Sequence, residues 1–300
     1  MRMRQLKSRL VILILTASCL CGCANATAAG QADVIVIGNT GLKPVVEVIA
    51  GIESAMKSQV PVYAPAEIKG KLSALVKKRG TRTVIALGRE AINESFKLPT
   101  SVTVLYSLVI LPPVSDRPNT AGLYMGTPVR EYLNIVKTYL PCIKHVCVIA
   151  SSRVLDVLDR VDNKLVSTFT ANTPYDLVHI IKGLDKQHCC SVLLLPDTSL
   201  LTTTALHEIY LFSFRHKLPI LGISKKYVRQ GTLFALEFDN ESLGRRLGKM
   251  AAVSLKQHSF IQLKALPPQH FDLYINRETA KKMEVPIPDQ MLKTAKSVYP

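Results

Sequence analysis

The chain lacks the signatures of the common catalytic and nucleotide-binding scaffolds: it has no nucleophile elbow, no P-loop and no H-E-x-x-H. It has no low-complexity segment, and with 48% apolar and 20% charged residues over 300 positions its composition excludes a disordered chain and leaves room for two domains. Acidic residues are few, 22 against 38 lysines and arginines, for a formal charge of +16. A basic balance favours anionic partners such as nucleic acid, a membrane surface or an acidic ligand. Yet Lys69, Lys71, Lys77, Lys78 and Arg79 sit beside apolar Ile68, Leu72 and Leu75, and a solvated helix face explains them more simply.

The apolar stretch that begins at Leu10 runs for about 13 residues, too short to span a bilayer comfortably. Preceded by Arg2, Arg4, Lys7 and Arg9, it reads as a secretion signal over residues 1–23, and without those four residues the charge is +12. Leu20-Cys21-Gly22-Cys23 resembles a lipoprotein box in which Cys23 would be acylated and tether the protein to the membrane; Cys19 is a second acceptor, and Ala24-Asn25-Ala26 also fits ordinary signal cleavage. An exported protein of the periplasm or cell envelope meets no genome, so nucleic acid is not an expected partner.

The rest alternates short apolar runs with helical periodicity. Val192–Leu195 is a buried strand ending in Pro196-Asp197-Thr198; a helix with Ala205, Ile209 and Phe212 on one face follows, then strands at Pro219–Leu221 and Leu233–Leu236. Earlier strands are expected at Ala32–Ile37, Val60–Tyr63, Thr83–Leu87 and Val102–Tyr106, with helices from Pro44, over Glu67–Arg79 and through Ile92. Thr120–Met125 reads as an edge or crossing strand. From His145 the pattern restarts, so the chain reads as two copies of one α/β architecture with doubly wound parallel sheets. Beyond Asp239 come a helix with Leu243, Leu247 and Met250, a Pro267-Pro268 linker, a strand at Phe271–Ile275, a short helix and an irregular tail.

Four cysteines remain after the signal: Cys142, Cys147, Cys189 and Cys190, in an oxidising compartment. Cys142 precedes the strand at His145 and Cys189-Cys190 precedes the strand at Val192. If those strands are neighbours, a bridge from Cys142 to Cys189 or Cys190 is expected; the alternative is that all four are small buried residues. Cys142, His145 and Cys147, or His188 with Cys189 and Cys190, lack zinc-ribbon spacing, so no metal is expected. Gly38-Asn39-Thr40-Gly41 lacks the G-x-G-x-x-G spacing, and Ser54-Ala55-Met56-Lys57 has no companion elements of a penicillin-recognising site. No cofactor and no enzymatic set follow from these residues.

The C-terminal residues are more specific. Phe271-Asp272-Leu273-Tyr274-Ile275-Asn276-Arg277-Glu278-Thr279-Ala280-Lys281-Lys282-Met283, followed by Val285-Pro286-Ile287-Pro288, resembles the ending of the ABC-transporter substrate-binding family that includes tryptophan and tyrosine binders. Leu194-Leu195-Pro196-Asp197, Pro219-Ile220-Leu221-Gly222 and Val228-Arg229-Gln230-Gly231 extend the likeness, as do Ala86-Leu87-Gly88 and Leu140-Pro141. The resemblance implies a type I periplasmic-binding-protein-like fold whose two lobes, joined by a multi-crossing hinge, close on a small ligand and pass it to an ABC permease. The first lobe would take residues 27–125 and 238–262, the second 126–237 and 263–300. By position, ligand contacts would come from Thr40, Gly88, Tyr106 and Ser107 on one lobe and Ser151, Asp197, Thr198 and Ser224 on the other. Asp197 would pair with a ligand ammonium and backbone N–H groups near Thr40 and Ser151 with an anionic end. The chain departs from the family at Ser107-Leu108-Val109-Ile110-Leu111-Pro112, apolar where a small polar loop is usual. Two other readings stand beside solute capture, possible amino-acid binding included: an envelope interaction or sensing protein without transport, and an enzyme on the same scaffold.

Overall fold

A computed structural model describes residues 33–158, 164–184, 188–256 and 265–300; the signal segment, Cys19, Cys23 and the alternative cleavage site lie outside the described residues. β1 (Val34–Ile37) is buried along its whole length, as a strand covered by helices on both faces must be. It is followed by α1 (Lys43–Met56), β2 (Val62–Tyr63), α2 (Pro65–Ile68), α3 (Leu72–Arg79), β3 (Thr83–Leu87), α4 (Arg89–Ser95), β4 (Thr103–Ser107) and β5 (Thr120–Gly122). Among the described residues these strands form one parallel sheet, order β2-β1-β3-β4-β5. The helix expected over Glu67–Arg79 is split, because Gly70 takes φ 70 between α2 and α3, a conformation that ends a helix. Lys69, Lys71, Lys77 and Lys78 are exposed, so the basic run is a solvated face.

The second half continues with α5 (Val129–Tyr139), β6 (Val146–Ala150), α6 (Ser152–Leu158), β7 (Val166–Thr170), α7 (Pro174–Lys182) and β8 (Ser191–Leu194). Then come α8 (Thr203–His216), β9 (Ile220–Gly222), α9 (Lys225–Gln230), β10 (Phe234–Phe238), α10 (Asn240–Lys256), β11 (Phe271–Asn276), α11 (Arg277–Lys282), α12 (Asp289–Thr294) and β12 (Ser297–Tyr299). Among the described residues the second sheet runs β12-β11-β10-β9-β8-β6-β7, parallel except where β11 lies antiparallel to β10. Side chains cap the starts of α8 and α11: Thr202 Oγ1 accepts from Ala205 N at 3.2 Å, and Asn276 Oδ1 from Thr279 N at 2.7 Å. The tail expected to be irregular instead carries α12 and β12. Pro288 takes the extended conformation of an N-cap, and three residues become a strand only because β11 offers an open edge.

The chain passes between the sheets more than once. α10 follows β10 of the second sheet, yet Leu243, Leu247 and Ala251 share a core with Val45, Val48 and Ile52 of α1 and with β1 and β3. Glycines permit this approach: a Cβ on Gly244 would overlap the Val48 carbonyl, and one on Gly51 the Glu241 carbonyl. Leu123 and Leu266 then pair side by side as crossing segments, with Leu266 N donating to Gly122 O at 2.9 Å and Tyr124 N to Leu266 O at 3.1 Å. Both sheets belong to one unit, Gln31–Pro300. In the loop before β5, the guanidinium of Arg117, 9% exposed, donates to the carbonyls of Leu98, Pro99, Val102, Pro118 and Asn119 and to Thr120 Oγ1, so a buried cation ties the loop down.

The disulfide corrects the expectation. β6 and β8 are neighbours, with Cys147 opposite Val192, but the bridge joins Cys147 to Cys189 at a Cα–Cα distance of 5.9 Å. Cys142 is exposed and free, and Cys190 is also a free thiol. The reason is geometric: β6 starts at Val146, beyond the turn that carries Cys142 to the surface. Cys147 points from within the strand into the core that Cys189 packs against.

Candidate functional site

In open α/β sheets ligands bind beyond the carboxyl ends of the strands, where loops and helix N-termini present polar groups. After β1, Asn39 Oδ1 accepts from Gly41 N at 3.0 Å, a side-chain-closed turn that leaves Thr40 exposed. α1 then opens with no side-chain cap, no acidic residue in its first turn, and Pro44 inside it. Its N-terminal N–H groups carry partial positive charge that no side chain neutralises. After β3, Gly88 takes φ 91 with open space beside its α-carbon, and its N–H donates to Ser107 O at 2.8 Å. Only glycine adopts that turn without strain.

Tyr106 and Ser107 lie at the same sheet end but are committed internally. Tyr106 is 5% exposed; its ring occupies the space beside Gly122 and meets Phe96 edge-on at 6.1 Å, and burial pushes its phenol up to about 12. Ser107 is fully buried and its Oγ donates to Leu123 O at 2.8 Å. It holds β4 to the crossing segment.

On the second sheet the structure brings Ser151 and Asp197 together. Asp197, 7% exposed, sits after β8 and accepts from Ser151 N at 3.2 Å, Ser199 N at 3.0 Å and Ser199 Oγ at 2.5 Å. Burial raises its pKa, but the hydrogen bonds from the Ser151 and Ser199 hydroxyls and N–H groups outweigh that and hold the carboxyl below its ordinary value. A carboxylate has about four acceptor positions, and neighbours fill them. Asp197 therefore braces the loop after β8 against the one after β6, and the Ser151 N–H expected to meet a ligand is given to Asp197. Ser199 was not anticipated from the sequence, although an aspartate followed two residues later by a serine is an Asx-turn signal. Thr198, between them, is exposed. Ser224 starts α9 without capping it by its side chain; Glu237 Oε2 instead accepts from Lys225 N at 3.2 Å. Thr40, Thr198 and Ser224 thus keep hydroxyls that no hydrogen bond among the described residues engages.

The apolar loop after β4 is half-buried. Leu108, at φ 59, packs on the core shared by α1 and α10, whereas Leu111 packs on the core of the second sheet; Val109 O accepts from Met125 N at 2.8 Å. A positive φ at a leucine is strained, and the packing of Leu108 on its core holds it there. Among the described residues there is no cluster of histidine, cysteine, aspartate or glutamate able to hold a metal, and no helix long and apolar enough to cross a membrane.

Two parallel-dominated sheets with flanking helices, crossed by the chain several times and with polar loops at the strand ends, define the α/β fold of type I periplasmic-binding-protein-like proteins. The profile of the family described as ABC transporter substrate binding protein matches residues 39–299, and the chain belongs to that family. Solved structures share the fold. A substrate-binding protein with adhesive properties from Clostridium difficile, in its ligand-free, open form, aligns with TM-score 0.67 at 14% identity. An ABC domain in complex with L-Trp from Streptococcus pneumonia aligns with 0.54 at 15%, and a conserved domain protein from Vibrio cholerae with 0.56 at 17%. Each alignment covers 89% of this chain and 99% of the other. No curated protein sequence matches the chain significantly. Membership implies a small-molecule ligand and an ABC permease as partner.

Proposed function

We propose that this chain is the exported capture component of an ABC importer, tethered through an acylated Cys23, which holds a small polar ligand between the strand-end loops of two lobes and performs no chemistry on it. The lobes are residues 27–125 with 238–262, and 126–237 with 263–300. The observation that carries the reading is the division of labour at those loops. Asp197, Ser107 and Tyr106 are consumed in building the rims, while Thr40, Thr198 and Ser224 keep open hydroxyls and the N-terminus of α1 keeps its positive end. An anionic end of the ligand meets α1; the hydroxyls on the other rim meet its polar remainder. An amino acid is the first class to test, since a structural neighbour holds L-Trp. The Leu108–Leu111 loop follows β4 at this sheet end and is apolar where the family's loop is usually small and polar.

Lobe closure would strip water from these contacts and make them selective. The reading of the protein as an envelope interaction module was motivated by the apolar loop, of which Leu108 and Leu111 pack on the two cores. Differential scanning fluorimetry against amino acids, nucleosides and small anions is the test, with Thr40→Val and Ser224→Ala as probes. A ligand whose stabilisation disappears in these variants supports the assignment. If mass spectrometry of the native protein finds no small molecule and no compound shifts the melting temperature, the reading fails.

A further inference from the structure

α10 and the crossing segment before β11 enclose a groove that begins at Asp239, just past the end of β10. A cavity of about 360 Å3 lies between Asp239, Arg245, Arg246 and Lys249 on one side and Pro268 and His270 on the other. A second, of about 510 Å3, continues from Arg246 and His270 to Arg130 and Glu131 at the start of α5. Each volume falls in the range of about 300–1,000 Å3 usual for small-molecule sites.

The charge on this lining is not balanced. Asp239 is engaged by Ser242 N at 2.9 Å and Arg245 at 3.4 Å, and Glu131 by Arg130 at 3.0 Å. Arg246 and Lys249 remain, one turn apart on one face of α10. Among the described residues neither has a carboxylate partner. The guanidinium of Arg246 is half-buried and, among the described residues, donates only to the carbonyl of Pro267, at 2.8 Å. A partly desolvated guanidinium with unused donors matches the paired oxygens of an oxyanion, and a lysine beside it supplies a second charge.

We propose that this groove is a second ligand site, for a multiply charged anion of the phosphate class such as a phosphomonoester or pyrophosphate, held by Arg246 and Lys249. The volume admits more than a halide, and two unmatched cations call for a doubly charged ligand. The same chemistry is carried by a free phosphate compound or by the phosphomonoester headgroup of phosphatidic acid, and the experiment separates them.

Isothermal titration with pyrophosphate, and co-sedimentation with phosphatidic acid vesicles, are run on wild type, Lys249→Ala, Arg246→Ala with Lys249→Ala, and a remote control, Lys69→Ala with Lys71→Ala. Lys249 is exposed, so its single variant leaves the fold intact. The expected result is saturable pyrophosphate binding at low salt, weakened about tenfold by Lys249→Ala, abolished in the double variant and kept in the control. Vesicle binding that follows the same pattern, without pyrophosphate binding, assigns the site to a lipid headgroup. No binding of either probe, or binding equally reduced in the control, overturns the proposal. Because Arg246 and Lys249 lie on α10 and not on the loops that carry Thr40, Thr198 and Ser224, a ligand found at those loops retains its affinity whether this site succeeds or fails.

Discussion

Removing the Asp197 carboxylate separates a structural role from a ligand-binding one. In Asp197→Ala the N–H groups of Ser151 and Ser199 and the Ser199 hydroxyl lose their acceptor. A hydrogen bond to a charged group contributes roughly 1.5–3 kcal/mol and an unpaired buried amide costs about 1–3 kcal/mol. The two seryl loops are part-buried, so water recovers some of this, and we expect a net loss of about 3 kcal/mol. For a domain of this size that is a fall in Tm on the order of 6–12 °C. Asp197→Asn keeps one carbonyl oxygen and should lose about half as much. The pH dependence has a definite sign. The folded carboxyl titrates below its ordinary value of 3.8, so its contribution is present at neutral pH and fades as the pH falls below about 4. Calorimetry of wild type and Asp197→Ala from pH 7 to 3 should therefore show a gap in Tm that narrows at the acid end. An unchanged Tm at pH 7, or a gap that stays constant to pH 3, would refute the brace. If the variant also loses affinity for a ligand by more than the loops' loosening explains, Asp197 touches that ligand directly.

The Cys147–Cys189 bridge closes a sequence separation of 42, for which chain entropy suggests about 4 kcal/mol of stabilisation; Cys147→Ala with Cys189→Ala should lower the chemical-denaturation midpoint, while Cys142→Ala should leave it in place. Gly244→Ala should destabilise the α1–α10 contact by about 2 kcal/mol or more, because its methyl group would meet the Val48 carbonyl rather than a side chain that can turn away. Reversible unfolding monitored by circular dichroism would detect that loss, and a neutral result would mean that α10 can shift without cost.

Much of the architecture was legible because it depends on short-range periodicity. The buried strands at Val34, Thr83, Val146 and Val192 read as unbroken apolar runs, and Val129, Leu133, Val136 and Leu140 trace a helix face at 3.6-residue spacing. The C-terminal motif pointed to the family. The break at Gly70, the helix after Ser224 and the pairing of Ser297–Tyr299 were not legible. The first turns on one backbone angle, the second spans only six residues, and the third depends on which strand edge is open. The candidate site was legible in outline only.

What the sequence determines here is the local alphabet: which segments become strands and helices, where polar residues interrupt them, and which family the chain joins. Side-chain commitment is decided by tertiary structure alone. Asp197, Ser107 and Tyr106 look like ligand contacts when read by position, and each is used to hold one loop or strand against another; Cys147 rather than Cys142 reaches Cys189 because of how the strands are placed. The physical reason is that a hydrogen bond, a disulfide or a matched charge needs a partner within a few ångströms, and for these groups the partner lies between 16 and 46 residues away along the chain, a distance that only the fold brings to contact.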